Sequence, residues 1–273
     1  MAHRSALLNV MVAAAKKAAR GLVRDFGEVE QLQVSKKGPA DFVSAADLKA
    51  ERVICEELRK ARPTWGFRLE EGGIVDGSDK SHFWVIDPLD GTTNFLHGLP
   101  HFAISIGVEL DGEPIAGVVY DPVKDELFAA EKGQGAYLHD RRLRVSSRTR
   151  MNEALLATGI PFHGGKEHQR FSAELGTVMT EVAGVRRLGA AALDLAYVAA
   201  GRYEGFWERG LKAWDICAGI VLVQEAGGLL GEIDGGRDYY RSGNILAANG
   251  GLHGALGDLL ARAATAPAGS GAA

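Results

Sequence analysis

Asp87-Pro88-Leu89-Asp90-Gly91-Thr92-Thr93-Asn94-Phe95 closes the apolar run His82-Phe83-Trp84-Val85-Ile86, and together they restrict what this chain can fold into. The run is short and rich in aromatic and β-branched residues, so it reads as a buried strand. Two carboxylates three apart in a tight turn can face one point, which suits hard cations that take oxygen ligands. Gly91-Thr92-Thr93 then offers backbone N–H groups and hydroxyls, the donors a phosphate oxygen meets at a helix start. The reading to test is a buried strand that ends at a cation site beside a phosphate cradle.

The rest of the chain can supply the core that such a strand needs. It has 273 residues, 46% hydrophobic and 24% charged, which is ordinary for a globular protein and enough for one large domain or two closely packed ones. A formal charge of -4 leaves no basic footprint, so direct nucleic-acid binding is not expected. Two cysteines, Cys55 and Cys217, make no disulfide framework, and a reduced cytoplasmic compartment is the expectation. Lys16, Lys17 and Arg20 interrupt the N-terminal apolar stretch, so no leader is expected there. No segment is long and apolar enough to span a bilayer, and no membrane partner is expected.

Leu7, Leu8, Met11, Val12 and Ala15 recur at helical spacing and predict a helix to about Arg24. Ser44-Ala45-Ala46-Asp47 reads as a capping box opening a second helix to about Ala61. Strands are predicted over Phe102–Leu110 and Ile115–Tyr120 around Asp111-Gly112, a hairpin signal, and a third over Glu126–Ala130. Helices follow near Lys166–Val182, Ala190–Ala200, Trp214–Ala226 and Gly254–Ala263. Strands are predicted between them at Val185–Leu188, Gly205–Trp207 and Asn244–Ala248. This order predicts an antiparallel α+β half (about 1–145) followed by an α/β half (about 146–263), in one domain over 1–263. The small-residue tail 264–273 is expected to be disordered.

Other acids are candidates beside Asp87 and Asp90. Glu70-Glu71 precede Gly72-Gly73, Glu208 ends a short strand, and Asp215 stands in Trp214-Asp215-Ile216-Cys217-Ala218-Gly219 at a helix start. Each has a purely structural reading. Asp-Pro and Asp-Gly form turns, Asp215 could cap its helix, Glu70-Glu71 could be a solvated loop, and Asp47 is the partner of Ser44 in the capping box. Taken together they are the separate parts of one site.

These residues resemble the inositol monophosphatase family of magnesium-dependent, lithium-sensitive phosphatases. The family's acidic signature stands at Asp87 to Phe95 and its Trp-Asp signature at Trp214 to Gly219. Glu70-Glu71, Asp41 to Asp47, Gly189-Ala190-Ala191-Ala192 and Glu225-Ala226-Gly227-Gly228 match its other segments in order, over essentially all of the chain but the tail. The resemblance implies a layered αβαβα sandwich and a homodimer. It also implies a phosphomonoesterase acting on myo-inositol 1-phosphate and related polyol phosphates.

By the same resemblance, Glu70, Asp87 and the Leu89 carbonyl hold a first magnesium ion, and Asp87, Asp90 and Asp215 a second. A weak third lies near Glu70. Such ions, roughly 3.5–4 Å apart, clamp an in-line displacement at phosphorus. Thr92, paired with Glu70, orients and deprotonates the attacking water, and the amides of Gly91 and Thr92 hold the phosphate. Glu208, Asp215 and the backbone near Ala191 contact the polyol, and Arg186 or Arg187 assists an anionic substrate. Lys36 and Lys37 fall in the expected mobile loop, and the sequence does not decide whether Glu71 and Asp47 support the ligands from behind.

The chain departs from the pattern at Ala190, Leu69 and Cys217, none of them a metal ligand. Cys217 is expected to be a small core residue rather than a reactive thiol. Substrate preference is what these departures put in question. Histidinol phosphate, fructose 1,6-bisphosphate or a 3′-phosphonucleotide are alternative substrates on the same fold. The alternative of another class is an interaction protein that contacts transcription and RNA-processing factors.

Overall fold

The computed structural model describes residues 4–28, 34–38, 41–161 and 167–265. Two capped helices build its first layer. In α1 (Ala6–Phe26) the Leu8 amide donates to Ser5 Oγ at 3.1 Å. The strands β1 (Val34–Gly38) and β2 (Asp41–Ser44) form a two-stranded antiparallel ladder that leads into α2 (Ala45–Ala61). Ser44 and Asp47 make the expected capping box at its start, with the Ser44 amide donating to Asp47 Oδ2 at 2.9 Å. Positions 36 and 37 therefore lie on β1 and not in a loop.

The apolar faces of α1 and α2, with Met11, Ala15, Ile54 and Leu58 fully buried, cover one side of an eight-stranded sheet. Its strands are β3 (Gly66–Leu69), β4 (Gly73–Val75), β5 (His82–Asp90), β6 (Ala103–Leu110), β7 (Glu113–Asp121), β8 (Glu126–Glu131), β9 (Gly135–Leu138) and β10 (Arg141–Arg142). They stand in the order β10-β9-β8-β7-β6-β5-β3-β4. The predicted hairpin is β6–β7, and its Asp111 and Gly112 take φ of 51° and 86° as a two-residue hairpin turn requires. Only β3 runs parallel to its neighbour β5, because the chain returns through β4, antiparallel at the sheet edge, before it enters β5.

The other side of this sheet is covered by α5 (Ala191–Ala199) and α6 (Ala213–Glu225), whose small and aliphatic side chains are buried almost all round. Beyond them lies a second sheet of β11 (Leu155–Thr158), β12 (Gly184–Arg186), β13 (Gly205–Glu208), β14 (Leu229–Glu232) and β15 (Ile245–Ala248). Its order is β12-β11-β13-β15-β14, with β15 antiparallel to both neighbours, so this half is mixed rather than a uniform parallel α/β unit. Its outer face packs on α4 (His168–Met179) and α8 (His253–Thr265) through Val178, Leu256 and Leu260. The short helices α3 (Thr92–Leu96) and α7 (Tyr239–Ser242) complete the chain. The αβαβα layering expected from the resemblance is the observed one. Lys166 and residues 266–273 of the expected tail lie outside the described residues. Among the described residues no helix is long and apolar enough to cross a membrane.

Candidate active site

A strand has a side-chain period of two, so residues 87 and 90 would ordinarily point to opposite faces. The β5–β6 register corrects this. Asp87 pairs with Ser105 and Asp90 with Ala103, so three steps on β5 span two on β6. The extra residue is a bulge, and it sits where Pro88 has no N–H to give the ladder. Both acids are thereby delivered to one cleft from a continuing strand, where a turn was expected. The Leu89 amide donates to Asp87 Oδ1 at 2.9 Å, and the Ala192 amide in the first turn of α5 donates to Asp90 Oδ2 at 2.8 Å. Glu70 follows β3, and its amide donates to the Ile86 carbonyl at 3.1 Å, which sets it alongside the strand that ends in Asp87.

Gly91 takes φ 93° and ψ 34° to open α3. A Cβ there would also stand 3.1 Å from the His101 carbonyl, so glycine is required twice over. The Thr92 hydroxyl lies 2.9 Å from Asp47 Oδ1 and 3.0 Å from the Leu89 carbonyl. Its proton is thus directed to Asp47 and Leu89, which makes Asp47 an acidic partner of Thr92. Asp47 is fully buried, and it serves the α2 cap with one oxygen and Thr92 with the other. Asn94 donates to the carbonyls of His101 and Leu188, each at 2.8 Å, and so ties the acidic motif to the segment leading into α5.

The second half contributes Asp215 and Glu208. Asp215 lies in the first turn of α6 and accepts from the Lys212 amide at 2.6 Å, so it is a cap as well as a cleft residue. Glu208 ends β13 directly over Gly159, where a Cβ would fall 1.8 Å from Glu208 Oε1. A cleft of about 690 Å³ gathers Glu70, Asp87, Leu89, Asp90, Gly91 and Thr92 with Ala191, Glu208 and Asp215. Arg187 lines it too, whereas Arg186 is exposed, folds its guanidinium back onto the Val185 carbonyl at 3.1 Å and does not line it. The substrate contact expected at Arg186 is corrected to its neighbour, because adjacent strand-end residues point apart. Glu71 is likewise absent from the lining, and its amide is held by Glu51 Oε2 at 3.0 Å.

One wall of the cleft was not foreseen. Arg209 bridges the buried Glu174 and Asp234, each at 2.8 Å, and Arg170 shares both acids. Arg170, Arg209 and Asp234 line the cleft with Lys212. They lie on separate elements, and no local pattern in the sequence groups them.

Burial raises Asp87 and Asp90 well above the usual carboxylate range, and repulsion among Glu70, Asp90 and Asp215 adds to it. Glu208 is pushed up to about 8, first by burial and then by Asp215, with Arg187 opposing. Such a set of oxygen donors is costly without a cation, and its chemistry fits a hard one. Among the described residues no three acidic, His or Cys side chains are gathered closely enough to hold an ion by themselves.

The model of the inositol monophosphatase family matches residues 3–266. An inositol-1-monophosphatase of Mesorhizobium japonicum is 58% identical over 246 residues, covering 90% of this chain and 92% of that one. The Nus factor SuhB of Escherichia coli is 46% identical, over 89% of this chain and 91% of its own. The crystal structure of the extragenic suppressor protein suhB from Bartonella henselae superposes with a TM-score of 0.91 at 55% identity, covering 94% and 98% of the two chains. With the family model matched over nearly its full length and relatives more than half identical, the chain belongs to the inositol monophosphatase family.

Proposed function

We propose that the cleft hydrolyses phosphate monoesters of polyols, with myo-inositol 1-phosphate as the leading substrate. The observation that carries this reading is the convergence of Glu70, Asp87, Asp90 and Asp215 in one cleft with Thr92, whose hydroxyl donates to the buried Asp47 behind it. Glu70, Asp87, the Leu89 carbonyl, Asp90 and Asp215 would hold two magnesium ions, with a weaker third near Glu70. Bound there, magnesium would lower the pKa of water and offset charge on the attacking and leaving oxygens.

The chain's own groups supply position and proton transfer. Thr92 Oγ1 can accept a proton from the attacking water as its own proton passes to Asp47 Oδ1, 2.9 Å away. Burial raises the pKa of Asp47, which favours that acceptance. Water adds to phosphorus, the ester P–O bond breaks, and the leaving alkoxide takes up a proton from solvent. The first-turn amides of α3 have no intrahelical partner and are donors for the phosphate oxygens. Glu208 and Asp215 face the polyol, where carboxyl oxygens accept from ring hydroxyls, and Arg187 adds positive charge.

The test is phosphate release from inositol 1-phosphate, histidinol phosphate, fructose 1,6-bisphosphate, glycerol 2-phosphate and a 3′-phosphonucleotide, with magnesium and with EDTA. Magnesium-dependent turnover led by inositol 1-phosphate is expected, with inhibition by lithium. Leadership by another ester moves the substrate and keeps the mechanism. Gel filtration of the same sample tests the homodimer. The name of the Escherichia coli relative favours a second reading, contact with transcription factors. Their capture by an Asp87→Asn variant would support it.

A further inference from the structure

Gly107 on β6 and Gly117 on β7 face one another as register partners, and α6 lies across them. A Cβ at Gly107 would stand 2.4 Å from Cys217 Sγ and 2.8 Å from Cys217 Cβ. A Cβ at Gly117 would stand 2.5 Å from the Ala218 carbonyl oxygen and 2.6 Å from Ala218 Cα. Neither glycine is among the residues with a positive φ, so the backbone would accept other residues and only the space forbids them. The pair leaves a trough in the sheet, and the helix that carries Asp215 lies in it.

Neighbouring contacts hold α6 in that seat. Ser105, on the same face of β6, donates to the carbonyl of Trp214, the residue before Asp215, at 3.3 Å. Tyr240 donates to the buried Glu109 at 2.9 Å and contacts the Cys217 thiol, so Cys217 is confined from above. On its far side α6 presses Gly219 against α5, where a Cβ would meet Leu195 Cδ1 at 2.4 Å. The helix is wedged between sheet and α5 and has little room to yield.

We propose that Gly107 and Gly117 are positioning residues for the phosphatase: the trough they form sets the depth of α6 and hence the place of the Asp215 carboxylate. This rests on the reading of Asp215 as a magnesium ligand. Lifting Ala218 from 2.5 Å to an ordinary contact of about 3.5 Å moves the helix by about 1 Å. Magnesium requires near-ideal octahedral geometry, and a misplacement of about 1 Å costs on the order of a hundredfold in rate.

The experiment measures kcat and KM for inositol 1-phosphate, magnesium affinity by titration calorimetry, and the thermal midpoint. Gly117→Ala is expected to lower kcat about a hundredfold and magnesium affinity about tenfold, with a smaller rise in KM because Asp215 also faces the polyol. Gly107→Ala should act in the same direction. Cys217→Gly, which removes both colliding atoms, should restore at least about tenfold of that kcat loss. The same second substitution should restore nothing in Gly117→Ala, whose clash is with the main chain of Ala218. Leu22→Ala, buried on the far face of the first sheet, should lower the thermal midpoint and leave magnesium affinity unchanged.

Parental kcat and magnesium affinity in Gly117→Ala overturn the proposal. So does a Gly107→Ala defect that Cys217→Gly fails to relieve, and that comparison decides if Gly117→Ala does not fold. Asp215→Asn in the same titration separates the two readings. If it leaves magnesium binding unchanged, the ligand reading falls and the kcat of Gly117→Ala decides the seating. If it weakens binding while Gly117→Ala does not, the seating falls.

Discussion

Thr92 shows how one hydroxyl links a turn to a helix cap. Its acceptor Asp47 already closes the α2 capping box, and that complete local explanation is why the sequence left a role for Asp47 in the site undecided. If the pair works as a unit, Asp47→Asn and Thr92→Ala should each lower kcat by on the order of a hundredfold, and the double variant should be little worse. Additive losses in kcat would show the two residues acting separately. Gly159 carries a second prediction, because Glu208 occupies the space a methyl group would take. Gly159→Ala should displace Glu208, raising KM for inositol 1-phosphate several-fold more than KM for glycerol 2-phosphate, whose smaller polyol makes fewer contacts. An equal change for both esters would remove Glu208 from polyol recognition. The choice between Arg186 and Arg187 was not legible, since it depends on which of two adjacent residues turns into the cleft.

At the scale of elements, legibility followed length and periodicity. The amphipathic α1 and α2, the β6–β7 hairpin, the alanine-rich α5 and the apolar α6 all lie close to where their patterns placed them. Short strands such as β3, β4 and β9 were missed, because three or four residues hold too little alternation and tertiary pairing decides them. The bulge in β5 was also hidden: the sequence shows Pro88, but only the pairing with β6 shows which faces Asp87 and Asp90 share. The loop from α3 to β6 makes a testable case of burial. His101 there has a buried Nε2 without a hydrogen-bond partner among the described residues, and burial, aided by Lys124, lowers its pKa to about 4. The unfolded chain binds that proton near pH 6.5. Between these values the unfolded state takes up a proton that the native state refuses, so stability falls as pH drops through this window. Urea midpoints at pH 7 and pH 5 should therefore differ less in His101→Gln than in the parent. An identical difference would mean that His101 titrates normally.

The whole molecule places its acids on different layers. Asp87 and Asp90 come from the first sheet, Asp215 from the helix layer between the sheets and Glu208 from the second sheet, while the α5 amide of Ala192 holds Asp90. Bringing such groups together without a cation sets like charges against one another, so folding works against the repulsion that binding relieves. Magnesium that binds this cleft and not the unfolded chain adds about 2.7 kcal/mol at a hundredfold excess over its Kd. For a chain of this size that corresponds to a rise in thermal midpoint of roughly 5 °C or more. Asp90→Asn removes one charge while an amide oxygen can still accept from Ala192, so two opposite effects are expected from a single substitution. In EDTA the variant should melt no lower than the parent, because the repulsion is smaller. In magnesium it should gain less than half the parental rise, because a ligand is lost. Thermal melts of both proteins with and without magnesium read the two effects side by side. A variant that melts lower than the parent in EDTA yet gains the full rise in magnesium would show Asp90 to be a structural acid, held for its contact with α5 and not for a cation.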